Sequence, residues 1–157
     1  MSGFRRGVRL GVDVGKARVG VARCDRDGLL AVPVETVART ETAAARVAEL
    51  AGEYEAFEIL VGLPISLGGK ETASTADARD FAAALATASG LPIRLVDERL
   101  STVSAHAALR DSGRTQKSSR RIVDQVAAVV LLQQAIDVEK STGNPAGTPL
   151  TDPQEIV

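Results

Sequence analysis

Four carboxylates stand where charge is hard to keep. Asp13 lies near the end of an apolar run, Asp97 and Glu98 close another, and Asp124 sits among Ile122, Val123, Val126 and Ala127. An ionised carboxylate in apolar surroundings needs donors or a cation to stay charged. Asp13 taken alone fits two roles, a cation ligand or an acceptor for the turn at Gly15. Asp97 and Glu98 are neighbours in a strand, so they face opposite sides and at most one can join Asp13. The other has a structural role open to it, pairing with Arg99 or capping the helix that follows. Asp124 falls in the early turns of a helix, where the dipole favours an acid but the neighbours withhold water; that favours a metal or substrate role.

Three acids from three separate elements make a hard, oxygen-rich site suited to magnesium (Mg2+) or manganese (Mn2+). Such ions serve in-line displacement at phosphorus. Three carboxylates are few for two ions, so water and phosphate oxygens would complete the shells. The remaining reactive groups offer less. His106 lies in a helix without the partners that define a triad, and Cys24, the sole cysteine, reads as a buried strand thiol.

The charge distribution says more than the net charge of −1. Arg110, Arg114, Lys117, Arg120 and Arg121 crowd one stretch against a single acid, Asp111. Such a stretch fits either a phosphate-contact site or a solvated loop, and charge alone favours the loop.

These residues must be positioned by elements that the pattern outlines. Val8–Val14, Val19–Cys24 and Leu29–Val37 read as three strands joined by tight turns, an antiparallel meander, with Pro33 marking an edge or a bulge. Ala43, Val47, Leu50 and Ala51 recur at helical spacing, predicting a helix over Glu41–Glu53. Ile59–Leu63 is a buried strand ended by Pro64, and Ser66–Glu71 a glycine-containing loop. A helix built on Ala78, Phe81, Ala82 and Leu85 is expected to be capped by Ser74, with Asp77 completing the cap, and to end at Gly90 and Pro92. Ile93–Val96 is a fifth strand. Two helices follow, Ser101–Ser112 and about Arg120–Glu139, with a basic loop running to Ser119 between them. The order βββαβαβαα gives an α/β fold: a five-stranded mixed sheet flanked by helices. One domain is expected over 1–140, and 141–157, with three prolines and no core pattern, reads as a disordered tail. No apolar run is long enough for a membrane span or a signal peptide, and the lone cysteine suits a reducing compartment, so a cytoplasmic protein is expected.

Four of these segments together resemble the YqgF family, also called RuvX-like proteins. They are Gly11–Gly20 with its aspartate, turn glycine and arginine; Val61-Gly62-Leu63-Pro64; Asp97-Glu98-Arg99-Leu100-Ser101-Thr102, the most specific; and Val123-Asp124-Gln125-Val126-Ala127-Ala128. The likeness runs from about Arg9 to Ile136. It implies a ribonuclease-H-like fold, and either cleavage of four-way DNA (Holliday) junctions or 5′-end processing of the pre-16S ribosomal RNA. It places Asp13, Glu98 and Asp124 in the catalytic, metal-binding positions and makes Arg18 and Arg99 candidates for phosphate contact or for holding the acids. Gly68-Gly69 departs from the family, where an aspartate commonly precedes the glycine.

The leading expectation is therefore a metal-dependent nuclease acting on structured RNA or branched DNA, with Arg114, Lys117, Arg120 and Arg121 on the backbone. Few aromatics are present for base stacking, which favours recognition of shape. Symmetric junction cutting would call for a homodimer. Two other classes compete. A non-catalytic nucleic-acid-binding adaptor would keep the fold without the chemistry. An actin-like ATPase would need two such domains around its nucleotide and would leave the Asp-Glu-Arg string without a role.

Overall fold

The computed structural model describes residues 3–98 and 116–150, with side chains in the last helix described from Gln125 onward. Strands β1 (Arg9–Val14), β2 (Arg18–Cys24) and β3 (Ala31–Ala38) lead into helix α1 (Ala43–Glu53). Strand β4 (Glu58–Leu63), helix α2 (Ala73–Ser89), strand β5 (Ile93–Asp97), helix α3 (Gln116–Thr142) and a short strand β6 (Thr148–Pro149) follow. The sheet order is β3-β2-β1-β4-β5-β6. β1 pairs antiparallel with β2 and parallel with β4, β4 pairs parallel with β5, and β6 returns antiparallel on β5.

The sheet is covered on both faces, and the alternation of strand side chains sorts the core. Leu10, Val12, Val19, Val21, Ile59, Val61, Ile93 and Leu95 point to α1 and α2, where Val47, Leu50, Phe81 and Leu85 meet them. Ala22, Cys24 and Leu60 point the other way, to Ala128, Leu132 and Ile136 of α3. The β1 positions on that second face are Arg9, Gly11 and Asp13, in steps of two. Gly11 is bare because α3 lies directly on it. A β-carbon there would come 2.8 Å from Leu132 Cβ and 2.9 Å from the Ala128 carbonyl oxygen.

A buried ion cluster pins the far end of α3. Arg9, 1% exposed, donates to Glu139 Oε2 at 3.0 Å and to the carbonyls of Gly7 and Arg5. Its guanidinium lies 4.4 Å and 4.8 Å from the ring centres of Phe4 and Phe57. Arg5 grips both carboxylate oxygens of Glu58 in a fork, at 2.9 and 3.1 Å, and reaches Glu139 Oε1 at 2.8 Å. Among the described residues no buried side-chain nitrogen or oxygen lacks a partner, the condition under which a buried pair is tolerable. Burial pushes the Glu139 carboxyl up, but the Arg5 side-chain and backbone bonds and the Arg9 charge outweigh it and hold it below its usual range.

Several boundaries differ from the sequence reading for physical reasons. β3 starts at Ala31 because Asp25 Oδ1 accepts the Leu29 and Leu30 amides, at 2.8 and 2.9 Å, and keeps them in the turn. β3 is an edge strand whose pairing with β2 slips between Val21 and Ala22, opposite Pro33 and Glu35, as the proline foretold. α2 is capped by Thr72, with Thr75 reaching back to the Thr72 amide at 2.9 Å, and Ser74 lies inside the helix. Asp77 pairs with Arg39, at 2.7 and 2.9 Å. α3 begins at Gln116, so part of the stretch read as a basic loop is helix; Gln, Lys and Arg are good helix formers. The sheet has six strands where five were expected. The sixth comes from the stretch read as tail: Leu150 N–H bonds the Ile93 carbonyl, and Arg94 donates to the Ala146 and Gly147 carbonyls, each at 2.8 Å. The helix expected over Ser101–Ser112 lies outside the described residues.

Glu139→Ala would strand the buried Arg9 charge. Urea denaturation near neutral pH should show a loss of about 3–5 kcal/mol. Because the folded Glu139 pKa is depressed, the wild-type advantage is present above 4.5, the ordinary value, and fades as pH falls through the lower folded value.

Candidate active site

Parallel pairing of β1, β4 and β5 brings three C-terminal strand ends together. The β1–β4 register runs through Val12 opposite Val61, so the next step sets Asp13 beside Gly62. β5 pairs Gly62 with Val96 and Leu63 with Asp97, and Glu98 N–H continues the ladder to the Leu63 carbonyl at 3.2 Å. Glu98 therefore points to the α3 face with Asp13, whereas Asp97 alternates to the other. The two acids of the Asp97-Glu98 pair separate as the strand pleat requires.

Glu98 and Asp13 meet. Their carboxyl groups are hydrogen-bonded, and burial first, then the Asp13 charge, that hydrogen bond and the Asp97 charge push the Glu98 pKa up to about 9. Two carboxyls bond one another when one of them keeps a proton, and the raised Glu98 pKa lies in that direction. Gly62 makes room for this. A β-carbon on it would lie 2.2 Å from Glu98 Oε2. A glycine within a strand signals close approach, and Val-Gly-Leu-Pro carried that signal; the sequence reading treated it as a strand signature and did not see the glycine as the floor of the site.

The turn after Asp13 is braced from outside the pair. Gly15 N–H bonds the Arg18 carbonyl at 2.8 Å, Arg39 N–H bonds the Ala17 carbonyl at 2.9 Å, and Arg39 Nη1 donates to the Gly15 carbonyl at 2.9 Å. Arg39 thus ties this turn to Asp77 of α2, a role no motif announced. Gln125 of α3 donates to Thr36 of β3 at 2.7 Å, fixing the helix near its start.

Of the expected site residues, Asp13 and Glu98 come together and Arg18 opens β2 on the same turn, half-buried. Asp124 is a position of α3 one helical turn before Ala128, the residue packed on Gly11. Its side chain lies outside the described residues, as do those of Lys117, Arg120 and Arg121; Arg99 and Arg114 lie outside them altogether. Among the described residues no three His, Cys, Asp or Glu side chains converge as a metal cluster. The described pair nevertheless fits a divalent cation: two carboxyl groups crowded over a bare glycine, with the Glu98 pKa raised first by burial and then by the acid beside it.

Residues 7–138 match the family described as RuvX, Holliday junction resolvase. A protein of Leifsonia xyli subsp. xyli named "Putative pre-16S rRNA nuclease" is 57% identical over 149 residues, covering 94% of this chain and 96% of its own. One of the same name from Streptomyces coelicolor is 51% identical over 147 residues, covering 92% and 88%. Among solved structures, T. thermophilus RuvC in complex with Holliday junction substrate superposes with a TM-score of 0.56 at 18% identity, over 92% of this chain and 99% of that one. At that identity the likeness speaks to fold alone, and the fold is the expected ribonuclease-H-like one. No helix among the described residues is long and apolar enough to cross a membrane.

Two measurements probe the acid pair. With a folded pKa of about 9 against 4.5, metal-free protein takes up a proton on folding between those values. The penalty is absent below the lower value and grows as pH rises toward the upper. The stability gain of Glu98→Gln in urea, without divalent cations, should therefore widen across that window. Gly62→Ala forces the Glu98 carboxyl aside. It should change stability by less than about 1.5 kcal/mol, because only a side-chain end must move. Carbon NMR should then show Glu98 titrating nearer the ordinary carboxylate range.

Proposed function

Because this chain belongs to the RuvX family, we propose that it is a nuclease that hydrolyses phosphodiester bonds in structured nucleic acid with a divalent metal, magnesium or manganese. What supports the reading most is the meeting of the Asp13 and Glu98 carboxyls over Gly62. Two carboxylates crowded together repel when both are ionised, and that repulsion favours taking up a cation.

Asp13, Glu98 and Asp124 would hold the ion. The chemistry it supplies when bound is neutralisation of charge building on the phosphoryl oxygens and easier deprotonation of water. The chain's own residues do the rest. Glu98 and Asp13 would hold the ion as carboxylates. Asp13 is kept in place by its strand and by the turn that Arg39 braces. Arg18 and Arg99 contact the scissile phosphate or hold the acids. Arg114, Lys117, Arg120 and Arg121, at and around the start of α3, contact the backbone on either side.

Two substrates are in view. The relatives' name points to the pre-16S ribosomal RNA, and the family's description to four-way DNA junctions. The same carboxylates and cations serve either backbone. Paired cuts across a junction require a homodimer with its two sites related by a two-fold axis. The protein is expected to act in the cytosol.

The test is incubation with Mg2+ or Mn2+ and two labelled substrates, a precursor ribosomal RNA carrying its 5′ extension and a mobile four-way DNA junction. Wild type should cut one of them only when the metal is present, and Asp13→Asn should slow that cut at least about a hundredfold, a few kcal/mol of transition-state stabilisation. Tight binding with no cutting by wild type would instead make the chain an adaptor.

A further inference from the structure

The loop that leaves β4 holds a leucine in solvent. Leu67 is 93% exposed, the highest value among the large apolar residues described. It contributes nothing to the core. Nor is the loop slack. Ile65 bridges to Glu71, Ser66 N–H bonds the Lys70 carbonyl at 3.0 Å, Lys70 N–H bonds Ser66 Oγ at 3.0 Å, and Gly69 N–H bonds the Ser66 carbonyl at 2.8 Å. Gly69 takes the left-handed φ of 82° that closes the turn. At the loop's base, the hydroxyl of the fully buried Thr75 donates to the Pro64 carbonyl. A locked turn that presents an apolar side chain has already lost the entropy that a binding contact would otherwise cost.

Position separates Leu67 from the other exposed apolar residues. Leu29 and Leu30 lie in the turn between β2 and β3, and Val138 near the end of α3, all at the end of the sheet held by the Arg9 cluster. Leu67 follows the C-terminal end of β4, the end that carries Asp13 and Glu98. Leu63 receives the Glu98 amide, and chain connectivity keeps Leu67 within about 14 Å of it at ~3.5 Å per residue. That is about four stacked nucleotides at about 3.4 Å each. Lys70, exposed in the same turn, adds a cation.

The aromatic residues leave this task to Leu67. The chain has one tyrosine, three phenylalanines and no tryptophan. All four rings lie under arginines: Phe4 and Phe57 under Arg9, Tyr54 under Arg23, and Phe81, itself buried, under Arg39. A base displaced near the acid pair would find no aromatic platform among them. Leucine is one of the side chains that serve as apolar wedges between base steps.

We propose that Leu67 is a base-contacting wedge: it packs against the exposed face of a base pair where a nucleic-acid duplex opens or branches, and so sets which phosphate reaches Asp13 and Glu98. The inference rests on the nuclease reading above. The recognised feature is an unstacked base step, which a DNA junction and a folded RNA both offer.

The experiment places aminopurine at the branch of a four-way DNA junction and at the duplex end of an RNA hairpin, with unbranched DNA and RNA duplexes as controls. Protein carrying Asp13→Asn is added with Mg2+, so that binding is read without cutting. Fluorescence should rise on at least one open substrate, and that substrate should be bound more tightly than its control duplex. Adding Leu67→Ser should abolish the rise and reduce the preference about tenfold, while Leu67→Met restores both. An unchanged melting temperature checks that the exposed substitution leaves the fold intact. Fluorescence and preference that survive Leu67→Ser, while wild type still cuts with metal, would overturn the wedge and leave the nuclease standing. Absence of binding to every substrate would overturn both.

Discussion

The close approach of α3 to β1 governs the rest of the structure. Along one face of β1 stand Arg9, Gly11 and Asp13, and the helix touches the sheet at the middle one. No side chain separates Gly11 from the Ala128 carbonyl and Leu132, so the distance between helix and strand is set by backbone and cannot relax cheaply. The two flanking positions are the charged ones. On one side Arg9 locks to Glu139 at the end of the helix; on the other Asp13 meets Glu98. The first joins opposite charges and the second brings two acids together. A short strand thus carries an anchor, a contact point and a candidate site at successive inward positions.

The contrast between those two clusters is electrostatic. Around Arg9, the guanidinium donates to Glu139 and to the Gly7 and Arg5 carbonyls, and the Glu139 carboxyl is held low. Around Glu98, burial and two nearby acids act in the same direction, and the carboxyl is held high. Natural folds settle buried charge where stability alone is at stake; they leave it unsettled where an additional charge is to arrive. The glycine under Glu98 belongs to the same logic, since it gives up side-chain packing to let a second acid come close.

Much of this was legible in the sequence because it depends on local pattern. Strand pleat alone separated Asp97 from Glu98, and Pro33 announced the irregular edge strand. The apolar periodicity of Ala43–Ala51 and the tight turn between the second and third strands located their elements to within a residue or two. What escaped was long-range. Nothing near Arg9 in the chain says that Glu139 will lie beside it, and nothing near Asp77 says that Arg39 will claim it from the cap. The sixth strand escaped for a related reason: Thr148-Pro149 has no strand pattern of its own and is held by Arg94 and the open edge of β5. The partnership of Asp13 and Glu98 lay between these extremes. The face of each was readable, but their meeting depended on strand order and on seeing Gly62 as an empty place.

That two-residue strand has a consequence for assembly. An open sheet has two lateral borders, and a border with free amides and carbonyls invites another chain to add on. Here one border, β3, is interrupted by Pro33 and a bulge. The other is covered by the chain's own β6, where Gly147 lies so near the Leu95 carbonyl that a β-carbon would come within 2.2 Å. Sheet-to-sheet continuation between copies is thereby discouraged on both sides. Any pairing of two molecules across a symmetric substrate would have to be built from helix and loop surfaces, leaving each sheet a closed unit and each carboxylate pair free to face its own strand.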